Sequence, residues 1–307
     1  MTEDREQEVV QRIERFEDTP EFHAYEQRYA NLFSEGNPYF IIHDSPLTDT
    51  SLMAGKRVLN FGSYNYAGMS GRPEVSEAAI EAIRKYGTSA SGSRLLAGEK
   101  SIDQELEREI ADWKHTEDAL VEGVYSMDGD VSPVPEFVKI KKEFGCFLMV
   151  DEAHSTCVIG ETGGGVDEYY HLAPDDIDIK MGTLSKGLGA CGGYLAGSRN
   201  LIEYMRYMLP GFVFSVGISP PLAAAALKSI QLVRHDPSVM GNLRRNIQCF
   251  MTEARKYNLD TCLAGQTAIL PVLVGKETDA MVLSNAMREA GVFVPPAIYP
   301  AVPQGAR

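Results

Sequence analysis

Cys146-Phe147-Leu148-Met149-Val150-Asp151-Glu152-Ala153-His154-Ser155 is the stretch that decides the fold class. Cys146 to Val150 form a continuous apolar run that stops at an acid. The run is short and lacks polar alternation, which predicts a strand buried on both faces, as in a parallel sheet. In open α/β sheets ligands bind beyond the carboxyl ends of the strands. Asp151, and His154 three residues on, therefore become candidates to face one ligand. The competing reading makes Asp151 a helix cap and His154 a solvated side chain, and the motif alone does not separate the two.

On either side of this run the pattern alternates between strands and helices. Gly193–Ala196 is a second strand candidate, and strand-like runs occur at Tyr39–Ile42 and Arg57–Phe61. A helix is predicted from Pro73, a good first-turn residue, to just before Gly87, with Val75, Ala79 and Ile83 at helical spacing. A second helix carries Ile102, Leu106, Ile110 and Trp113 at the same period. From about Val239 the chain reads helix, strand (Ala268–Val274), helix (Asp279–Ala290), strand (Gly291–Val294). Alternation of this kind predicts an α/β fold. The expected organisation is an N-terminal arm over 1–58, a large domain over 59–235 and a smaller C-terminal α/β domain over 236–307. The first 35 or so residues, rich in Glu, Arg and Gln, read as surface helices or an arm reaching a partner subunit.

Composition narrows the function classes. The 307 residues are 44% hydrophobic and 23% charged, with a net charge of −14. A chain of this size buries a core without disulfides or a structural metal. The acidity argues against nucleic-acid binding, which needs a basic face. Cys146, Cys157, Cys191, Cys249 and Cys262 form no CxxC pair, which fits reduced thiols and a cytoplasmic protein without a metal site. The acidic start MTEDREQEVV is no signal peptide. The apolar stretch Gly211–Val233 is broken by Pro220-Pro221 and carries Lys228, so it predicts a buried loop and helix and no membrane span.

Two further motifs carry chemistry. In Thr183-Leu184-Ser185-Lys186-Gly187-Leu188-Gly189 a lysine stands between hydroxyl residues and glycines. A nucleophilic lysine needs its pKa lowered by burial or a nearby cation, whereas an isolated Ser-Lys-Gly is more simply a surface loop. Glu122-Gly123-Val124-Tyr125-Ser126-Met127-Asp128-Gly129-Asp130, taken alone, is a polar turn after a strand.

In this order and spacing the three motifs resemble the α-oxoamine synthase family of fold-type I pyridoxal phosphate enzymes. Leu59-Asn60-Phe61-Gly62-Ser63-Tyr64-Asn65-Tyr66 and Gly87-Thr88-Ser89-Ala90-Ser91-Gly92-Ser93-Arg94 extend the match. The resemblance runs from about Asn60 to the C-terminus. It implies a large domain with a mostly parallel seven-stranded sheet flanked by helices, and pyridoxal 5′-phosphate as cofactor. Lys186 resembles the Schiff-base lysine, which once released removes the substrate α-proton. Asp151 resembles the aspartate that pairs with the pyridinium nitrogen and keeps the ring an electron sink. His154 resembles the histidine at the ring hydroxyl, also suited to hydrogen-bond the thioester oxygen. Ser126 resembles a serine near the ring. Thr183 is a better match to a phosphate contact than Ser185 beside it, and Ser215 resembles a contact to the phosphate of the partner subunit. Tyr64, Asn65 and Arg307 resemble residues at the substrate amino acid.

The reaction implied is condensation of a small amino acid (Gly, Ala or Ser) with an acyl thioester, with loss of carbon dioxide. Gly62-Ser63-Tyr64-Asn65-Tyr66 and Ser93-Arg94-Leu95-Leu96-Ala97-Gly98-Glu99 resemble serine palmitoyltransferase and the synthases of polyketide assembly lines, which favours an acyl-carrier protein over coenzyme A as donor, or a domain of a larger protein. The resemblance further implies a homodimer. Two alternatives remain open: a non-catalytic partner subunit, disfavoured by the presence of Lys186, Asp151 and His154, and another reaction on the same fold such as transamination. The sequence departs from the family in one place. Val121 runs straight into Glu122, where relatives carry several dozen residues with a glycine-rich turn and a ring-stacking histidine. The expectation is a longer natural chain, against a true internal deletion. The chain also ends at Arg307, where relatives continue with a strand and a helix.

Overall fold

The computed structural model describes residues 15–34, 36–120, 131–299 and 301–302. In chain order the elements are α1 (Pro20–Leu32), β1 (Thr50–Met53), β2 (Lys56–Asn60), α2 (Pro73–Tyr86), α3 (Ser101–Trp113), β3 (Asp118–Leu120), α4 (Val134–Phe144) and β4 (Met149–Asp151). There follow α5 (Val166–Tyr170), β5 (Ile179–Thr183), β6 (Gly193–Gly197), α6 (Arg199–Met208), α7 (Pro210–Val213), α8 (Pro220–His235), α9 (Pro237–Lys256), α10 (Glu277–Glu289) and β7 (Val292–Phe293). The chain forms two compact units, one from segments 1–42 and 274–307, the other from 43–273. Neither boundary coincides with the expected breaks at 58 and 235. The reason at the second is local: Val239 and Met240, in the first turn of α9, join the core built around α8.

The larger unit holds a four-stranded sheet in the order β3-β6-β5-β4 among the described residues. β4 and β5 run parallel, while β6 is antiparallel to both β5 and β3. This mixed sheet is smaller than the expected seven mostly parallel strands. The reversal at β6 has a simple cause. Only residues 184–192 join β5 to β6, too few for the crossover a parallel pair requires. The junction at Val121-Glu122 lies outside the described residues.

β4 also differs from the strand buried on both faces. Val150 is buried, but Met149 is 53% exposed, and Phe147, just before the strand, is 84% exposed. Tyr39–Ile42 forms no strand, since Phe40 turns to a φ of 56°. Ala268–Val274 is likewise irregular, and Pro271 removes a ladder donor there.

The helices follow their sequence signals. α2 starts on Pro73 and stops at Gly87, whose φ of 80° is open to glycine at little cost. Ile102, Leu106, Ile110 and Trp113 of α3 are all buried, together with Ile230 and Val233 of α8. Fully burying one such side chain contributes about 1.5–3 kcal/mol. The run Ala223–Ala226 gives α8 a narrow face against α2 and α3. A second apolar cluster joins Val134 and Val138 of α4 to Val150, Val158, Ile159, Val166 and Ile177. Together they fix the carboxyl ends of β4 and β5.

Candidate active site

β4 and β5 lie in parallel register, Asp151 opposite Met181, so Asp151 and Thr183 both stand at carboxyl ends of adjacent strands. The ladder continues one step, with Glu152 N donating to Met181 O at 2.6 Å. The chain then turns sharply: Ala153 N donates to Asp151 Oδ1 at 2.8 Å, and Ser155 N and Thr156 N both donate to Glu152 O at 3.0 Å. This turn carries His154 to the same sheet edge. From β5 the chain enters the 184–192 loop, which carries Lys186. The loop lies close to its neighbours because it is rich in glycine. A Cβ on Gly189, whose φ is 63°, would stand 2.6 Å from Ser70 N. The 184–192 loop therefore presses directly on the loop that follows Tyr64.

Lys186 is 6% exposed, and its Nζ lies 5.8 Å from the Tyr64 ring centroid. Burial lowers its pKa, and the Asp151 carboxylate partly opposes that. The Tyr64 and His154 rings meet edge-on at 6.3 Å. His154 Nδ1 lies 3.0 Å from the Tyr66 hydroxyl. His154 Nε2 is buried and has no hydrogen-bond partner among the described residues. Burial, and after it the Lys186 charge, push the imidazole down to about 4. Neutral imidazole, a lysine with depressed pKa and a carboxylate at a strand end thus form one cluster. Such a cluster can hold an imine-forming cofactor and move a proton at an adjacent carbon.

Not every candidate residue is available for ligand. Thr183 Oγ1 donates to Gly192 O at 3.1 Å, accepts from Ser185 N at 3.2 Å and meets Ser185 Oγ at 2.7 Å. Its hydroxyl is saturated, whereas Ser185 is exposed. The Asn65 amide is also committed. Its Nδ2 donates to Leu47 O at 2.9 Å and to Ser70 O at 3.1 Å, while its Oδ1 accepts from Ser70 N at 3.0 Å. Asn65 therefore shapes the loop that presents Tyr64. Ser215 Oγ donates to Phe212 O at 3.4 Å. Ser126 and Arg307 lie outside the described residues.

The family model for aminotransferase class I and II matches residues 119–307. A putative 8-amino-7-oxononanoate synthase of Nostoc punctiforme is 32% identical, covering 83% of this chain and 82% of the relative. The 8-amino-7-oxononanoate synthase of Thermoanaerobacter pseudethanolicus is 30% identical over 85% and 84%. The chain belongs to the α-oxoamine synthase family. Among solved structures, serine palmitoyltransferase of Sphingomonas wittichii superposes on this α-oxoamine synthase with a TM-score of 0.86 at 25% identity. That match covers 92% of this chain and 89% of the other. It confirms the fold-type I architecture. Serine palmitoyltransferase from S. paucimobilis, with bound PLP–myriocin aldimine, gives 0.85 at 24%. The family is pyridoxal phosphate-dependent, and the site fits that cofactor on its own evidence: His154 Nε2 is buried with no hydrogen-bond partner among the described residues, and Lys186 has the lowered pKa that favours imine formation. The Nostoc alignment extends over 326 positions, more than the 307 residues present. The relative thus carries residues with no counterpart here.

Sequence reasoning missed what lies under the synthase site. Glu152, next to Asp151, forms a fully buried ion pair with Lys114 and accepts from Val166 N at 2.8 Å. Lys114 also donates to Thr156 Oγ1 at 3.1 Å and to Gly164 O at 2.6 Å. Burial alone would lower Lys114, but the Glu152 carboxylate outweighs it and holds the ammonium charged. Thr156 Oγ1 in turn meets the Tyr194 hydroxyl at 2.9 Å. Tyr194 lies across Gly182, its cross-strand partner, where a Cβ would collide with the ring. The sequence signal was there in principle: a lysine directly after the apolar helix face that ends at Trp113, and Gly182 inside a strand.

Proposed function

We propose that the chain catalyses decarboxylative condensation of Gly, Ala or Ser with an acyl thioester, on a carrier protein or on coenzyme A, releasing an α-aminoketone. The observation that supports this reading is the convergence of Asp151, His154 and Lys186 at the carboxyl ends of β4 and β5. Pyridoxal phosphate, when bound, supplies the electron sink for a carbanion at the amino acid α-carbon. Lys186 holds the cofactor by its amine and serves as base toward the α-proton. Its depressed pKa favours the neutral amine that both roles need. Asp151 would pair with the ring nitrogen of the bound cofactor. His154, neutral at working pH, hydrogen-bonds the thioester oxygen as charge gathers there. Ser185 would contact the cofactor phosphate, steadied by Thr183, whose own hydroxyl is committed to Ser185 and Gly192; Ser126 would stand near the ring, and in a homodimer Ser215 would reach the phosphate of the partner subunit. Tyr64 would contact the amino acid substrate.

The test is release of free thiol from acyl-coenzyme A and acyl-carrier donors, screened against Gly, Ala and Ser. Thiol release that depends on the amino acid, and vanishes together with the visible cofactor absorbance in Lys186→Ala, is the expected result. Keto acid formation without thiol release would instead mark a transaminase.

A further inference from the structure

Tyr66 has no part in the chemistry above, yet its hydroxyl touches a ring that does. Two proton arrangements fit the 3.0 Å contact with His154 Nδ1. Either the phenol donates to a bare Nδ1, or Nδ1–H donates to the phenol oxygen. In the second case the phenol proton needs an acceptor of its own. Among the described residues the hydroxyl has no other hydrogen-bond partner. A half-buried hydroxyl that leaves its proton unused is the costlier arrangement. Burial, with the neighbouring Tyr64 after it, pushes the Tyr66 phenol up, so it keeps its proton to donate. The imidazole is neutral and carries a single proton.

We propose that Tyr66 fixes the tautomer of His154: by donating to Nδ1 it places the one ring proton on Nε2, the buried nitrogen that has no partner among the described residues. Nε2 then presents an N–H donor to an oxygen that gains negative charge. The opposite tautomer would present a lone pair and repel that oxygen. Tyr66 is thus a positioning residue that acts through His154. The inference rests on the condensation reading for the identity of the oxygen, but the tautomer itself does not depend on it. A tyrosine at this site selects an electron-rich acceptor, such as a thioester carbonyl or a phenolate, over a donor.

The experiment is long-range ¹H–¹⁵N correlation on the full chain labelled with ¹⁵N-histidine, at neutral pH without added cofactor. The His154 ring signals are assigned by their loss in His154→Gln. Nε2 is expected to be the protonated nitrogen in the wild type. In Tyr66→Phe both nitrogens are expected to move toward averaged shifts, while Tyr64→Phe leaves the pattern as it was. Thiol release by Tyr66→Phe is expected to fall about tenfold in kcat, with KM for the amino acid within about twofold. A wild-type ring protonated at Nδ1, or an unchanged Nε2–H pattern in Tyr66→Phe, overturns the proposal. If Tyr66→Phe does not fold, the wild-type spectrum alone decides. Absence of thiol release by the wild type would overturn the condensation reading while leaving the tautomer result standing.

Discussion

His154 couples the chemistry of the site to the pH dependence of the fold. Its pKa is about 4 in the folded chain and about 6.5 in an unfolded one. As pH falls through this window the unfolded chain takes up the proton first, so folding stability contributed by the neutral ring is present above about 6.5 and is lost progressively toward about 4. The thermal midpoint is therefore expected to drop more between pH 7 and pH 5 in the wild type than in His154→Gln. Equal drops would contradict the shift. Lys186 gives a second residue-scale prediction. Burial lowers its pKa and Asp151 opposes the lowering, so Asp151→Asn is expected to lower it further. The pH profile of Lys186 acylation by acetic anhydride, followed by peptide mass, should shift to lower pH, and a shift to higher pH would refute the pairing. Asp151, His154 and Lys186 were legible in the sequence because each sits in a short local motif. Tyr66 was not, because its contact with His154 spans 88 positions and no local pattern records it.

At the scale of elements, the C-terminal end of α3 is tied to the turn after β4 by Lys114 and Glu152, both fully buried. Removing one partner leaves an uncompensated charge inside the protein, which costs about 3–5 kcal/mol. Lys114→Met is expected to lose that much in urea unfolding, and Lys114→Met with Glu152→Leu to recover part of it. A double variant no better than the single one would count against the pair as the cause. Gly189 makes a narrower prediction. A side chain there meets both a left-handed backbone and Ser70 N, so Gly189→Ala is expected to cost about 1–3 kcal/mol and to raise KM for the amino acid through the displaced Tyr64 loop. Unfolding and steady-state kinetics measured on one sample check both. Helices of this fold were readable because apolar period and end signals are local: Pro73, Gly87 and the Ile102–Trp113 face all landed as expected. The sheet was not. Register and direction come from contacts distant in sequence, although the short 184–192 connection already ruled out a parallel β5–β6 pair.

For the whole molecule, exposed apolar side chains bear on the behaviour in solution. Among the described residues β4 pairs on one side only, and Met149 and Phe147 stand largely exposed there. Phe137, Ile140 and Phe144, at helical spacing on α4, are exposed as well. Exposed apolar side chains gathered in one patch favour association with another chain. The net charge of −14 keeps molecules apart at low ionic strength, but salt screens that repulsion within about 8 Å at physiological strength. The 307-residue chain is therefore expected to associate increasingly as salt and protein concentration rise. A lysine at the exposed first position of β4 should suppress this without touching the core. Met149→Lys is expected to lower the weight-average mass by light scattering in high salt, with stability changed by no more than about 0.5 kcal/mol. If the mass stays as high as in the wild type while the fold is kept, the association runs through another surface and the patch around Met149 is not its seat.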